Sequence, residues 1–325
     1  MKYTDNAINI LTAKTFKGIG RAWIVKNLST VKPKNEIIEL LNEGTKEDYE
    51  ITYEEFEKKK DVVLNALKKS EGFIDGIVAI GDSNFPPHRG KVKNSEQPIF
   101  LFYRGDLTLL EATNRNVAVI GLLNPNSDIE EVEKIVVSEL VKNGATIVSG
   151  LALGCDSIAH KQALASNGKT IAILPSPLNN IMPATNKGLA EEIIKNDGLL
   201  ITEYLTDAKS KRELGGRYQE RDRLQALFSN VIVLSASYAK NDQGNDSGSR
   251  LAMEYALNYS IPRAVVYNTI SDATNPMFDL NRQYIKEQKD ITVINQENLI
   301  ETVKKIVLKR PVITNNQPIQ KDLFG

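Results

Sequence analysis

The sequence predicts an α/β protein: a doubly wound, mostly parallel sheet preceded by a small all-α domain. Three observations predict it. Short, wholly apolar runs recur from Ile77 onward, as expected of strands covered on both faces. Segments of helical length and pattern alternate with them, and parallel strands need such crossovers. The stretch 1–72, by contrast, carries helical patterns alone.

In that first stretch, helices are predicted over Asn6–Thr12, Arg21–Asn27, Glu36–Leu41 and from about Tyr53 to Ser70. Between the first two lies Phe16-Lys17-Gly18-Ile19-Gly20, similar to the turn of helix-hairpin-helix (SAM-like) modules, which hold nucleic-acid backbone without reading bases. The same turn suits two helices that simply pack. A boundary is expected near residue 73. Beyond it, strands are predicted at Ile77–Ile80, Pro98–Gly105, Val117–Ile120, Ala145–Ser149, Thr170–Leu174, Leu199–Thr202, Val231–Ser235, Arg263–Tyr267 and Ile291–Ile294. Helices are predicted from about Ile129, from about Asp156, over Asn186–Lys195, over Ser249–Tyr259 and over Glu297–Leu308. The sheet domain should occupy 73–310, leaving 311–325 as a flexible tail without periodicity. At the tail's end, Gln320, Leu323 and Phe324 offer an amide and two apolar side chains suited to a partner's hydrophobic pocket.

The 41 basic and 41 acidic residues cancel, so any attraction for nucleic acid must come from a local patch. A single cysteine, Cys155, excludes an intrachain disulfide and a thiolate cage for metal, in keeping with a reducing cytoplasm. No apolar run approaches the roughly 18 residues of a spanning helix. Neither a metal nor a cofactor is expected.

Function should reside around Asn116–His160. There a strand ends at Gly121, and a second strand breaks at Ser149 into Gly150-Leu151-Ala152-Leu153-Gly154 before a helix opening near Asp156. Glycines let backbone approach a ligand, and the helix start turns free N–H groups toward an anion. Asp246-Ser247-Gly248-Ser249 repeats the logic, with Ser249 as expected cap and Arg250 in the first turn. Two such starts at one sheet edge would make a phosphate cleft. Lys209, Lys211, Arg212, Arg217, Arg221 and Arg223 form the densest basic cluster, suited to a sequence-blind grip on single-stranded DNA, with Tyr218 able to stack a base. The alternative is a solvated charged loop pairing internally with Glu213, Glu220 and Asp222. Glu203, at a strand end, is the candidate for a ribose or base contact. Asp156 and His160, at i and i+4, are expected to form a structural pair, and Cys155 to be a small buried residue. No paired carboxylates or nucleophile motif accompany them, so no catalytic residue is assigned.

These landmarks resemble, in order and over nearly the whole chain, the DNA-processing protein A (DprA/Smf) family. They are Lys17-Gly18-Ile19-Gly20, Phe85-Pro86-Pro87, Leu101-Phe102-Tyr103-Arg104-Gly105, Val119-Ile120-Gly121 and the long segment Ser149 to His160. Gly168 to Leu174, Met182-Pro183, Ile201-Thr202-Glu203-Tyr204, Arg221-Asp222-Arg223 and Ser247-Gly248-Ser249 continue the series. The resemblance implies an extended Rossmann-like fold, single-stranded-DNA binding in DNA processing, recombination or natural transformation, loading of a RecA-type recombinase, and self-association as a homodimer or larger oligomer. The chain departs from the family where Leu122-Leu123-Asn124 stand in place of a Ser or Thr followed by Arg, so one phosphate ligand is missing and Asn124 is left beside the Gly121 turn. Asp222 stands for an Asn between the two arginines, Leu251-Ala252 for a Thr-Ala, and no winged-helix domain is expected. The end of the tail, Gln320-Lys321-Asp322-Leu323-Phe324, resembles peptides that dock on the sliding clamp. Two other readings stay open: a nucleotide-binding sensor or processing protein, and a clamp-tethered module in genome maintenance or phage defence.

Overall fold

In the computed structural model, which describes residues 1–239 and 248–308, the apolar runs become nine strands of a single sheet. They are β1 (Gly76–Ala79), β2 (Phe100–Gly105), β3 (Asn116–Ile120), β4 (Thr146–Ser149), β5 (Thr170–Ile173), β6 (Leu199–Thr202), β7 (Val231–Leu234), β8 (Arg263–Val266) and β9 (Ile291–Ile294). Their spatial order is β1-β2-β6-β5-β4-β3-β7-β8-β9. β2 runs antiparallel to both β1 and β6, and every other pairing is parallel.

Helices α1 (Asp5–Ala13), α2 (Arg21–Asn27), α3 (Lys34–Gly44) and α4 (Tyr53–Lys68) precede the sheet, as the periodicity predicts. They share one continuous core with β1, β2, β5 and β6. The chain start is tied to the sheet edge: Lys2 N donates to Asp75 O (2.7 Å) and Asn6 Nδ2 to Ile80 O (3.0 Å). The Phe16–Gly20 turn packs on the segment after α3, with Lys17 N donating to Glu47 Oε1 at 3.0 Å. At Gly18, φ is 84° and a Cβ would fall 2.7 Å from Lys46 Cγ, so glycine is required there.

The later helices are α5 (Ser127–Lys142), α6 (Cys155–Ala165), α7 (Lys187–Lys195), α8 (Lys211–Leu227), α9 (Gly248–Asn258), α10 (Asp279–Glu287) and α11 (Leu299–Leu308). Strand residues alternate between the two faces. Ile171 and Ile173 of β5 meet the side covered by α8, α9 and α10, while Ala172 meets the side covered by the N-terminal helices and α7. α5, α6 and α11 extend that second layer over β3, β4, β7 and β8. Two helices escape the sequence pattern. α8 reads KRELGGRYQERDRLQAL, with a glycine pair in mid-helix and its apolar residues bunched at the end, and α10 is short. α8 forms because Ser210 caps it, accepting from Glu213 N at 3.1 Å, and because Leu224 and Leu227 are buried under it. Among the described residues no helix is long and apolar enough to cross a membrane.

From β3 the chain winds through β4, β5 and β6 in one direction, and from β7 through β8 and β9 in the other. β3 and β7 are neighbours. In such sheets a ligand binds outside the carboxyl ends of the strands where the winding reverses.

Candidate nucleic-acid interface

Two turns interlock at that reversal. Gly121, after β3, lies so near the start of α6 that a Cβ would fall 2.5 Å from Cys155 Sγ. Gly154, at φ 70°, could carry no Cβ without meeting the Leu122 and Leu123 carbonyl oxygens at 2.2 and 2.4 Å. Cys155 N closes the joint on Leu122 O (2.9 Å). The buried Leu151 adopts a positive φ of 58°, and Asn186 Nδ2 holds it by donating to Leu151 O and Ser157 Oγ, both at 2.8 Å.

The amides of this turn already have an anion. Asp156 folds its carboxylate back so that Oδ2 accepts from Gly150 N (3.1 Å) and Ala152 N (3.3 Å). Arg221 of α8 completes the arrangement, Nη1 lying 3.4 Å from Asp156 Oδ2 and Nε 3.4 Å from Asp222 Oδ1. Gln225, with its amide oxygen toward the guanidinium, accepts from Nη1 at 2.5 Å and from Gly150 N at 3.2 Å. Gly150 is glycine for this reason: a Cβ would lie 1.0 Å from Arg221 Nη1.

Above these groups opens a cleft of about 370 Å³, lined by Gly121, Leu123 and Leu153 from the two turns, Tyr218, Arg221 and Asp222 from α8, and Gly248 from α9. Its size is at the low end of the roughly 300–1,000 Å³ of small-ligand sites. Burial pushes the Asp222 carboxyl up to about 7, against the pull of Arg221 and with help from Asp156. Beneath the Gly121 turn, burial raises Glu133 of α5 to about 8, only partly offset by the nearby Cys155 thiol and Ser235 hydroxyl. Neither Glu133 oxygen meets a donor in hydrogen-bond geometry among the described residues. The same burial pushes the Cys155 thiol far up, so it stays protonated and inert, as its expected packing role requires. No cluster of His, Cys, Asp or Glu that could hold a metal occurs among the described residues.

A family model described as DNA recombination-mediator protein A matches residues 76–304. The chain belongs to that family. Among curated relatives, protein Smf of Borreliella burgdorferi is 28% identical over 218 residues, 66% of this chain and 65% of the relative. DNA processing protein DprA of Streptococcus pneumoniae is 31% identical over 203 residues, 60% of this chain and 66% of the relative. The match therefore spans about two thirds or less of these relatives' length. The X-ray structure of the Streptococcus pneumoniae protein superposes with a TM-score of 0.69 over 97% of this chain and 100% of that one at 22% identity, which shows the shared fold. A structure of DNA processing protein A from Helicobacter pylori, concerned with its single-stranded-DNA binding mode, is 30% identical, with a TM-score of 0.53 over 65% of this chain and 88% of that one.

Within the family frame the predicted site residues separate. Gly121, Asp156, Tyr218, Arg221, Gly248 and Ser249 meet at the cleft, and Gly150 and Gly154 shape it from behind. Ser149 is buried and donates to Val119 O (2.7 Å), joining β4 to β3 rather than facing a ligand. Ser249 is not the helix cap: α9 begins at Gly248, and the Ser249 hydroxyl donates to Gly121 O at 2.8 Å. Asn124 is exposed and outside the cleft lining, and Arg250 pairs with Glu254 one turn on. His160 does not pair with Asp156. Its Nδ1 meets Thr170 Oγ1 at 2.7 Å, while the Asp156 side chain folds back on the Gly150 and Ala152 amides of the preceding turn. Burial, aided by the charge of Arg221, lowers His160 to about 3 and keeps it neutral.

Apart from Lys209, the basic cluster lies on α8 rather than in a loop, and its members have separate surroundings. Lys209, just before the helix, and Lys211 and Arg212, in its first turn, are exposed. Arg217 is buried against the preceding segment, donating to Thr206 O (2.6 Å) and Glu213 (2.6 Å) and covering the Tyr204 ring at 4.3 Å. Arg223 is 1% exposed and donates through Nη2 to both Glu203 oxygens, at 2.8 and 2.7 Å. Glu203 also accepts from Arg21 Nη2 (2.9 Å), whose Nη1 reaches Glu220 at 2.7 Å. Glu203 thus joins α2 to α8 across the sheet edge. The part of Arg21 escaped the sequence reading because the contact lies 182 residues away in the chain. Ser247, Gln320, Leu323 and Phe324 lie outside the described residues.

Proposed function

We propose that this chain binds single-stranded DNA across the carboxyl ends of β3, β4 and β7, and acts without catalysis of its own in DNA processing or recombination. The observation that carries the reading is the cleft at the winding reversal, with Arg221 and Tyr218 on one wall, in a member of the recombination-mediator family. The single-stranded-DNA binding addressed for the Helicobacter pylori relative supports it. Phosphates would meet Lys209 just before α8 and Lys211 and Arg212 on its exposed start, the last two roughly 10 Å along the helix from Tyr218. Loading of a RecA-type recombinase, self-association and clamp docking through Gln320, Leu323 and Phe324 extend this proposal.

Fluorescence anisotropy with a labelled mixed-sequence 20-mer tests it. Affinity should fall steeply between 50 and 200 mM salt, and Lys211→Ala with Arg212→Ala should weaken all sequences alike and reduce the salt slope by about 1.4. Absence of binding at 50 mM salt would remove the reading. The size of the cleft favours a second reading, a nucleotide sensor, which calorimetry with mono- and dinucleotides addresses.

A further inference from the structure

Among the described residues, the charged groups lining the cleft are two carboxylates, Asp156 and Asp222, against one guanidinium, Arg221, which both carboxylates flank at 3.4 Å. Gln225 takes a further N–H of that guanidinium, and Asp156 occupies the turn amides. A phosphate entering here would displace existing bonds and face a carboxylate. The other walls suit a flat, weakly polar guest. Leu123 and Leu153 are 55% and 47% exposed, unusually open for leucine, and Tyr218 lies beside them. Stacking surfaces with one or two hydrogen-bonding groups are how proteins take an unpaired base from a single strand.

We propose that the cleft is a base pocket in which the Asp222 carboxylate selects guanine. The proposal rests on the single-stranded-DNA reading and names what this part of the interface holds. A carboxylate offers acceptors only. The Watson–Crick edge of guanine presents two adjacent donors, N1–H and the N2 amino group, which one carboxylate accepts together. Thymine presents carbonyl oxygens on both sides of its single N–H, and these repel a carboxylate. Adenine and cytosine each pair a donor with a ring-nitrogen acceptor, so they need a protonated acid. Among the described residues, the charged and titratable groups around Asp222 are Arg221 beside it, Asp156 from α6 and Tyr255 from α9. Its carboxyl lies against the start of α9, where a Cβ on Gly248 would fall 2.9 Å from Oδ2. Because the carboxyl titrates near 7, the preference should change with pH: guanine above, adenine and cytosine gaining below.

Competition anisotropy at pH 8 with four pentanucleotides, thymines carrying a central G, A, C or T, tests this. The G-containing strand should bind about tenfold tighter than the all-T strand, and the gap should narrow at pH 6. Asp222→Asn should abolish the preference, the affinities for the G-containing and all-T strands converging, an outcome that a purely structural role at the start of α9 does not produce. Should that variant not fold, the pH dependence of the wild-type preference decides alone. Equal affinities for all four pentamers, with the 20-mer still bound, would overturn the guanine pocket and leave the DNA-binding reading intact. Loss of binding to both pentamers and 20-mer would overturn both.

Discussion

The two ends of α8 carry the same residue types to opposite ends. At the start, Lys211 and Arg212 stand in solvent. Further on, Arg217, Arg221 and Arg223 are all buried, each bonded to the protein itself. A guanidinium in a cluster therefore says little about phosphate until its partners are known. The buried arginines connect chain segments; the exposed pair remains open to a ligand's backbone.

Breaking the buried end should cost most. Arg223→Ala leaves the buried Glu203 with Arg21 as its remaining arginine, so unfolding in urea should show a loss of about 3–5 kcal/mol. Arg21→Ala should cost less, because its side chain is 23% exposed and Glu203 keeps Arg223. A loss at Arg223 no larger than at Arg21 would erase the distinction between the two ends.

Gly150→Ala probes the middle of the helix from the other side. Its Cβ would displace the Arg221 guanidinium and the Gln225 amide from their buried bonds, so about 1–3 kcal/mol of stability should go, together with binding of the single strand. Anisotropy and thermal unfolding on the same sample separate the two effects.

The buried carboxyl under the cleft gives a smaller, pH-dependent signal. Glu133 has an ordinary value of 4.5 and is raised to about 8 by burial, so the folded state binds its proton more tightly than the unfolded chain does. The associated stability is full below about 4.5 and is lost as pH rises through 8, by at most ~1.4 kcal/mol per pH unit. Glu133→Gln should flatten that decline in urea titrations between pH 5 and 8. The smallest effect belongs to the exposed end: Lys211→Ala with Arg212→Ala should change stability by less than about 0.5 kcal/mol while lowering the salt slope of binding.

How much was legible follows from the range of each interaction. α5 and the strands carry their periodicity within ten or so residues, and they emerged where the pattern placed them. α8 did not, because its stability comes from Ser210, from Arg217 folding back on Thr206 and from apolar residues confined to its last turns. At the site, the spacing Gly150 to Gly154 announced a tight turn, and the turn is there. Its occupant was not legible: the turn amides of Gly150 and Ala152 hold Asp156, and the expected Asp156–His160 pair gave way to His160–Thr170.

The sequence by itself therefore determined the alternation of strands and helices, the glycine turns and the family, since each is a local pattern or an order of such patterns. Only the tertiary structure decided which charges face a ligand. Asp156 joins Arg221 from 65 residues away, and Glu203 joins Arg21 from 182. Burial then sets the protonation of Asp222 and Glu133, and burial is a property of what the fold packs around a group rather than of its neighbours in the chain.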